Sequence, residues 1–304
     1  MTSPGRIGPY EVLRPLGKGG MAEVFLVRAH FGHLAGREFA LKRLLPSLQE
    51  DRDSVRFFTA EAELSRHLNH PNIVEVLDVG QDTGGAWYMV MEFIDGRDVG
   101  QIIKRCRAKK VFWPIDFAIY LTRSLLAALG YAHAAVDEKG QLLNIIHCDV
   151  SPSNFFVSRT GDLKLGDFGV ARSLIEGGGD QVMGKPYYLS PEALDGVLTP
   201  AIDLWAVSVT LYELLTLQRP FQGKTPEQVF AAIRSSNYVP VRQVRPEVPG
   251  VIEGLIARAF DADPELRFTT AAEFSESLAS LYDERIGTPL GVSSVVRGLF
   301  GTTG

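Results

Sequence analysis

Cysteine is the scarcest residue of this 304-residue chain, which holds two, Cys106 and Cys148. Two thiols can neither lace a disulfide framework nor complete a structural zinc site within one chain, so the sequence fits a reducing compartment. A basic excess is also missing. The formal net charge is -5 and the isoelectric point about 5.7, whereas a nucleic-acid binder would need a positive face. Proteins and small molecules are the expected partners. Long apolar runs are absent as well. Met1 to Tyr10 lacks the apolar stretch of a leader peptide, and the greasiest segment, Trp205 to Leu217, is interrupted by Ser208, Thr210 and Glu213 well short of a spanning length. A cytoplasmic protein with no membrane segment in this chain is expected. No internal repeat is apparent. What the chain does have is apolar material, 45% hydrophobic against 22% charged, enough for one large core or two moderate ones.

In chain order, Tyr10 to Leu16 and Ala22 to Ala29 alternate apolar and polar residues around Gly17-Lys18-Gly19-Gly20-Met21, which predicts a hairpin with a flexible turn. Two readings of the turn are open. It is an ordinary hairpin, or the missing Cβ atoms of Gly17, Gly19 and Gly20 let backbone N–H groups approach a triphosphate, with Lys18 in the same loop and Val24 over the base. Glu38 to Leu44 is another alternating strand and carries Ala40 and Lys42. Asp51 to Leu68 has helical spacing through Val55, Phe58, Ala62, Leu64 and Leu68 and stops at His70-Pro71. Glu61 and Glu63 are its candidate carboxylates for pairing with Lys42. Ala86 to Phe93 reads as a strand around Met91 and Glu92, broken after Ile94 by Asp95-Gly96. Lys104, Arg105, Arg107, Lys109 and Lys110 fall on a predicted helix, either a solvated face or a dock for acidic partners. Ile115 to Ala135 repeats Phe117, Leu121, Leu125 and Leu129 as the core helix of a larger lobe would; His133 on it is expected to be structural.

Ile145 to Val157 is a short polar loop between apolar pairs of β type, with Asp149, Pro152 and Asn154 at its centre. Asp149 and Asn154 are plain turn residues or a working acid and amide. Eighteen residues after Asp149, Leu163 to Gly169 delivers Asp167 from a strand into a glycine turn.

These segments resemble, in order, the motifs of the protein kinase family: a glycine loop, a strand lysine, the catalytic loop His-Arg-Asp-Leu-Lys-Pro-x-Asn, and Asp-Phe-Gly. Gly184 to Glu192 looks like Gly-Thr-Pro-x-Tyr-x-Ala-Pro-Glu, and Arg267 stands where the family pairs an arginine with that glutamate. The spelling is most similar to bacterial kinases of the eukaryotic type, particularly myxobacterial ones. The resemblance implies an α+β bilobal fold: a kinase domain over 10–285 after an N-terminal segment 1–9, with a small antiparallel β lobe and one main helix over about 10–93. A larger, mainly helical lobe follows over about 95–285, then a Gly/Ser/Thr-rich tail, 286–304, as linker or short docking helix.

It further implies Ser/Thr phosphorylation of protein substrates in bacterial signalling, with ATP and Mg2+. Lys42, aligned by Glu61, would hold the α and β phosphates; Asn154 and Asp167 would hold the metal; Asp149 would accept the substrate proton. Met91 would guard the adenine pocket while backbone groups of Glu92 and Ile94 bond the adenine edge, beside Ala40. Three departures stand out: Cys148 for the arginine, Ser151 for the lysine after the catalytic acid, and Lys185 for the threonine of Gly-Thr-Pro. The ammonium has changed places, so Lys185 either reaches over Ser151 towards Asp149 and the γ-phosphate or points to solvent. Between Val170 and Gly184 the one hydroxyl is Ser173, and with Cys148 as receiver, loop phosphorylation is not the expected switch. The alternatives are a pseudokinase acting as a nucleotide-binding or scaffolding module, and a small-molecule kinase. The oligomeric state is left open.

Overall fold

The alternating pattern of the N-terminal third becomes a six-stranded antiparallel sheet in a computed structural model of the chain, which describes residues 5–168 and 185–301. Its strands are β1 (Arg6–Ile7), β2 (Tyr10–Lys18), β3 (Ala22–Ala29), β4 (Glu38–Leu44), β5 (Val76–Gln81) and β6 (Trp87–Glu92), in the order β1-β2-β3-β4-β6-β5. Helix α1 (Arg52–Arg66) packs on this sheet. Asp51 caps it by accepting the Ser54 N–H at 3.0 Å, and Phe58 and Ala62 bury against Leu44 and Met89. The β-ladder sets Lys42 opposite Val24 and Met89, and Ala40 opposite Met91. One register therefore gathers most of the expected pocket.

The larger lobe carries a second sheet, β7 (Gly96–Asp98), β8 (Phe155–Ser158) and β9 (Leu163–Leu165). Around it stand α2 (Val99–Lys109), α3 (Ile115–His133), α4 (Pro191–Leu194), α5 (Pro200–Thr216), α6 (Pro226–Arg234), α7 (Val241–Val244), α8 (Gly250–Ala259), α9 (Ala271–Ala279) and α10 (Pro289–Phe300). Every residue of α5 from Ile202 to Thr216 is buried. Such a helix is apolar all round because it is the axis of the lobe. Trp205 on it stacks on Phe221 with ring centroids 5.4 Å apart.

Two expectations change and one left open is resolved. One apolar segment does reach a spanning length: among the described residues α3 is the one helix long and apolar enough to cross a membrane. Its Phe117, Leu121, Leu125 and Leu129 are buried in the core, which accounts for that composition. Ile145 and Ile146, expected as strand, form none and are simply buried. Of the two readings of the tail, linker or short helix, the helix is found: the segment contains α10, with Val292, Val296 and Leu299 buried. Part of the basic run serves this helix: Arg105 Nε donates to the Leu299 carbonyl at 2.9 Å and Lys109 Nζ to that of Gly298 at 3.2 Å. Cations there satisfy orphan carbonyls at a helix end. Arg107 instead pairs with Glu213 at 2.7 Å.

Candidate active site

Asp149 is held by a carboxylate far away in sequence. Asp203, in the first turn of α5, accepts the backbone N–H groups of His147 at 2.8 Å and Cys148 at 2.9 Å. His133 Nε2 lies 2.9 Å from the same carboxylate, the structural place expected of it. The His147 ring then bonds the Gly166 carbonyl at 2.9 Å and packs edge-on to Phe168 at 4.7 Å. Two loops are thereby locked together, the one carrying Asp149 and the one carrying Asp167.

Within the first loop, Asn154 Nδ2 donates to the Asp149 carbonyl at 2.8 Å and to its Oδ2 at 2.7 Å. Lys185 Nζ donates to the same Oδ2 at 2.9 Å and to Ser151 Oγ at 2.8 Å, and lies 3.4 Å from Asn154 Oδ1. Asp149 Oδ1, in contrast, is buried without a partner among the described residues. An unsatisfied carboxylate oxygen costs free energy unless something is meant to meet it.

Lys42 Nζ lies between Glu61 at 2.5 Å and Asp167 at 3.0 Å, and Glu63 is exposed. Burial opposes the charge on Lys42, yet Asp167 and Glu61 together hold its ammonium above the ordinary lysine range. Burial pushes the Glu61 carboxyl up while Lys42 pulls it back; the Lys42 charge holds Asp167 below the usual carboxylate value.

Above this group opens a cleft of about 440 Å³ between the lobes. Gly17, Val24, Ala40, Met91, Glu92, Ile94 and Asp167 line it, with Val74 and Phe156 adding apolar wall that the sequence patterns did not single out. The Glu92 carboxylate is engaged elsewhere, accepting from the Glu75 N–H at 2.9 Å and from Lys164 at 2.7 Å. Lys18 turns to Glu23 at 2.8 Å on the strand surface and stays out of the lining. Gly19, Gly20, Lys42 and Asn154 lie outside the lining too. A Cβ added at Gly17 or Gly20 would meet no protein atom within 4 Å, so packing does not demand glycine there. At the base of the larger lobe Arg267 reaches both oxygens of Glu192 at 3.0 Å and lies over the Trp205 ring at 4.6 Å. The expectations for residues 170–184, Ser173 included, lie outside the described residues.

From sequence Asp203 reads only as the residue that opens the apolar helix Asp203-Leu204-Trp205-Ala206; its role as anchor of the Asp149 loop was missed. Its signal was an acid in the first turn of a largely apolar helix, since a buried carboxylate requires several donors.

The protein kinase domain family matches residues 10–279. The tyrosine-protein kinase MasK of Myxococcus xanthus is 33% identical over 302 residues, covering 97% of this chain and 46% of its own length. The serine/threonine-protein kinase PrkC of Bacillus subtilis is 30% identical over 280 residues, covering 91% and 41%. Among solved structures, the Mycobacterium tuberculosis PknI kinase domain superposes with a TM-score of 0.67 at 26% identity, covering 92% of this chain and 98% of that one. The chain spans less than half the length of these curated relatives. Motif order, bilobal architecture and these matches agree: the chain belongs to the protein kinase family.

Proposed function

We propose that this chain transfers the γ-phosphoryl group of ATP, with magnesium, to Ser or Thr hydroxyls of protein substrates in bacterial signalling. The observation that carries the reading is the Lys42 ammonium, fixed between Glu61 and Asp167, of which Asp167 lines the interlobe cleft, together with the unpartnered Asp149 Oδ1 in the loop tied through His147 to the Gly166 carbonyl before Asp167. Phosphoryl transfer needs positioning and charge neutralisation more than covalent help from the protein.

In this reading Lys42 binds the α and β phosphates and Glu61 keeps it there. Gly17 leaves its side of the cleft open to the phosphates, while Val24, Ala40 and Met91 enclose the base. Asp149 Oδ1 orients the acceptor hydroxyl and takes its proton. The acceptor oxygen bonds to the γ phosphorus, the bond from that phosphorus to the ADP oxygen breaks, and ADP leaves. Magnesium, when bound, neutralises phosphate charge. The Asp167 carboxylate, 43% exposed, and the Asn154 amide oxygen are hard donors that fit it. Among the described residues no group of three or more His, Cys, Asp or Glu forms a complete cage, which suits a cation that takes its remaining ligands from phosphates and water. A requirement for ATP favours the cytoplasm.

The Ser/Thr preference rests on resemblance and on the names of relatives such as PrkC; MasK is named a tyrosine kinase, which favours a tyrosine acceptor as the second reading. Labelled-phosphate transfer to a generic protein substrate tests both. Wild type should label serine and threonine, and Asp149→Asn should lose nearly all transfer. Label on tyrosine alone selects the second reading, and no transfer by wild type in ATP and magnesium returns the chain to a scaffolding role.

A further inference from the structure

We infer that Lys185 is a catalytic residue, supplying from beyond the 169–184 segment the positive charge that Ser151 cannot supply from within the loop. The inference rests on the kinase reading above. Lys185 Nζ stands 2.9 Å from Asp149 Oδ2, 2.8 Å from Ser151 Oγ and 3.4 Å from Asn154 Oδ1. Its backbone is anchored where a short 3-10 turn, Pro186–Tyr188, begins, because the Tyr188 N–H bonds the Lys185 carbonyl at 2.9 Å. The Tyr188 hydroxyl in turn meets Glu213 on α5. The backbone that carries the ammonium is therefore held by a defined turn, and the side chain is held at its tip by Asp149 and Ser151.

The donor count gives this geometry a direction. An ammonium has three hydrogens; here two make short bonds, to Asp149 and Ser151, and the third has only the long contact to Asn154 Oδ1. The Lys185 side chain is 41% exposed and that of Asp149 21%, so the ammonium grips the loop from a side chain that is still open to solvent. Ser151 is fully buried beneath it, a small hydroxyl that leaves room for the lysine to lie across. Two consequences follow. Lys185 and Asn154 together occupy Asp149 Oδ2, which leaves Oδ1 as the oxygen without a protein partner, the one available to take a proton once an acceptor hydroxyl reaches it. The third ammonium hydrogen is placed to meet negative charge building on the transferred phosphoryl, the kind of fixed donor whose loss lowers turnover more than binding. Lysine suits this as a compact charge with rotatable donors.

The test compares wild type, Asp149→Asn, Lys185→Met, Lys185→Arg and the swap Ser151→Lys with Lys185→Thr, each with thermal-shift titration of ATP and magnesium to show that it folds and binds nucleotide. Lys185→Met should lower kcat by roughly 10- to 1,000-fold while KM for ATP stays within a few-fold. The swap should recover at least about tenfold of that loss, since groups sharing one role are not additive, and a purely structural pairing would not be restored from the other position. Lys185→Arg should fall between. Full turnover in Lys185→Met, or a loss confined to KM, overturns the inference while wild-type activity keeps the kinase reading. Should Lys185→Met fail to fold, a swap no more active than Asp149→Asn overturns it. An inactive wild type overturns the kinase reading itself.

Discussion

Replacing Lys42 by methionine should destabilise the nucleotide-free protein, and more at alkaline than at acid pH. In the native chain one ammonium separates two carboxylates, Glu61 at 2.5 Å and Asp167 at 3.0 Å. Without it two like charges roughly 5 Å apart repel by about 3 kcal/mol at an effective dielectric of about 20. Breaking a buried pair costs about 3–5 kcal/mol. The Glu61 side chain is 10% exposed but that of Asp167 is 43% exposed, so water screens part of the loss and about 2–4 kcal/mol is expected at pH 8. The sign of the pH dependence follows from the two shifts. In the wild type Asp167 is depressed by Lys42, so its stabilisation is present above its unfolded value and is lost as pH falls through its folded one. Glu61 is raised by burial, so its contribution is lost as pH rises through its folded value. With Lys42 gone, neither carboxylate is held down, both take up protons earlier on acidification, and protonation removes the repulsion. Each pH unit crossed with one extra proton bound returns about 1.4 kcal/mol. Urea unfolding of both proteins at pH 8 and pH 5 measures this directly. A deficit that is equal at the two pH values, or larger at pH 5, would refute the reasoning.

Two further outcomes test the frame around the site. Glu192→Gln should cost about 3–5 kcal/mol because it leaves the Arg267 guanidinium, 6% exposed, buried against half a partner; a double-mutant cycle with Arg267→Met should show coupling above about 1 kcal/mol, and additive losses would deny the pair its structural role. Gly161→Ala should displace α10, because Gly161 has φ +91° and its added Cβ would fall 1.7 Å from the Pro289 carbonyl oxygen, a clash on top of about 1–2 kcal/mol of left-handed strain. Hydrogen exchange should then accelerate over Pro289–Phe300, and unchanged protection would show that α10 docks by other contacts.

Local order was legible where a short period fixed it. The alternation of Glu38 to Leu44 became β4, the spacing of Phe58 and Ala62 became the buried face of α1, and the expected lysine and carboxylate, Lys42 and Glu61, meet at 2.5 Å. What stayed hidden depends on partners distant in the chain. Composition left the Gly/Ser/Thr-rich tail open between linker and short helix, and what decides it is distant: Val292, Val296 and Leu299 find cover and Arg105 finds the Leu299 carbonyl 194 residues away. Ile145 and Ile146 have strand composition, yet no neighbouring strand offers them a ladder. Lys18 sits inside the glycine turn by sequence and is drawn off by Glu23 on the next strand.

The same distance explains why Asp203 matters more than its sequence context suggests. Cys148 and Asp167 both hold left-handed backbone, at φ 60° and 58°, conformations that cost non-glycine residues on the order of 1–3 kcal/mol each. Hydrogen bonds to a charged acceptor contribute about 1.5–3 kcal/mol each. Asp203 accepts two from the backbone of His147 and Cys148, which offsets the strain at Cys148, and the His147 bond to Gly166 passes the constraint to the turn before Asp167. The loop bearing Asp149 is thus held by a carboxylate of the central helix through main-chain atoms. Because that anchor runs through main-chain N–H groups it does not need an arginine side chain at position 148, and so a cysteine there is compatible with an assembled site. Burial keeps its thiol protonated, which leaves the nearby charges Asp149, Lys185 and Asp203 to set the electrostatics of the loop.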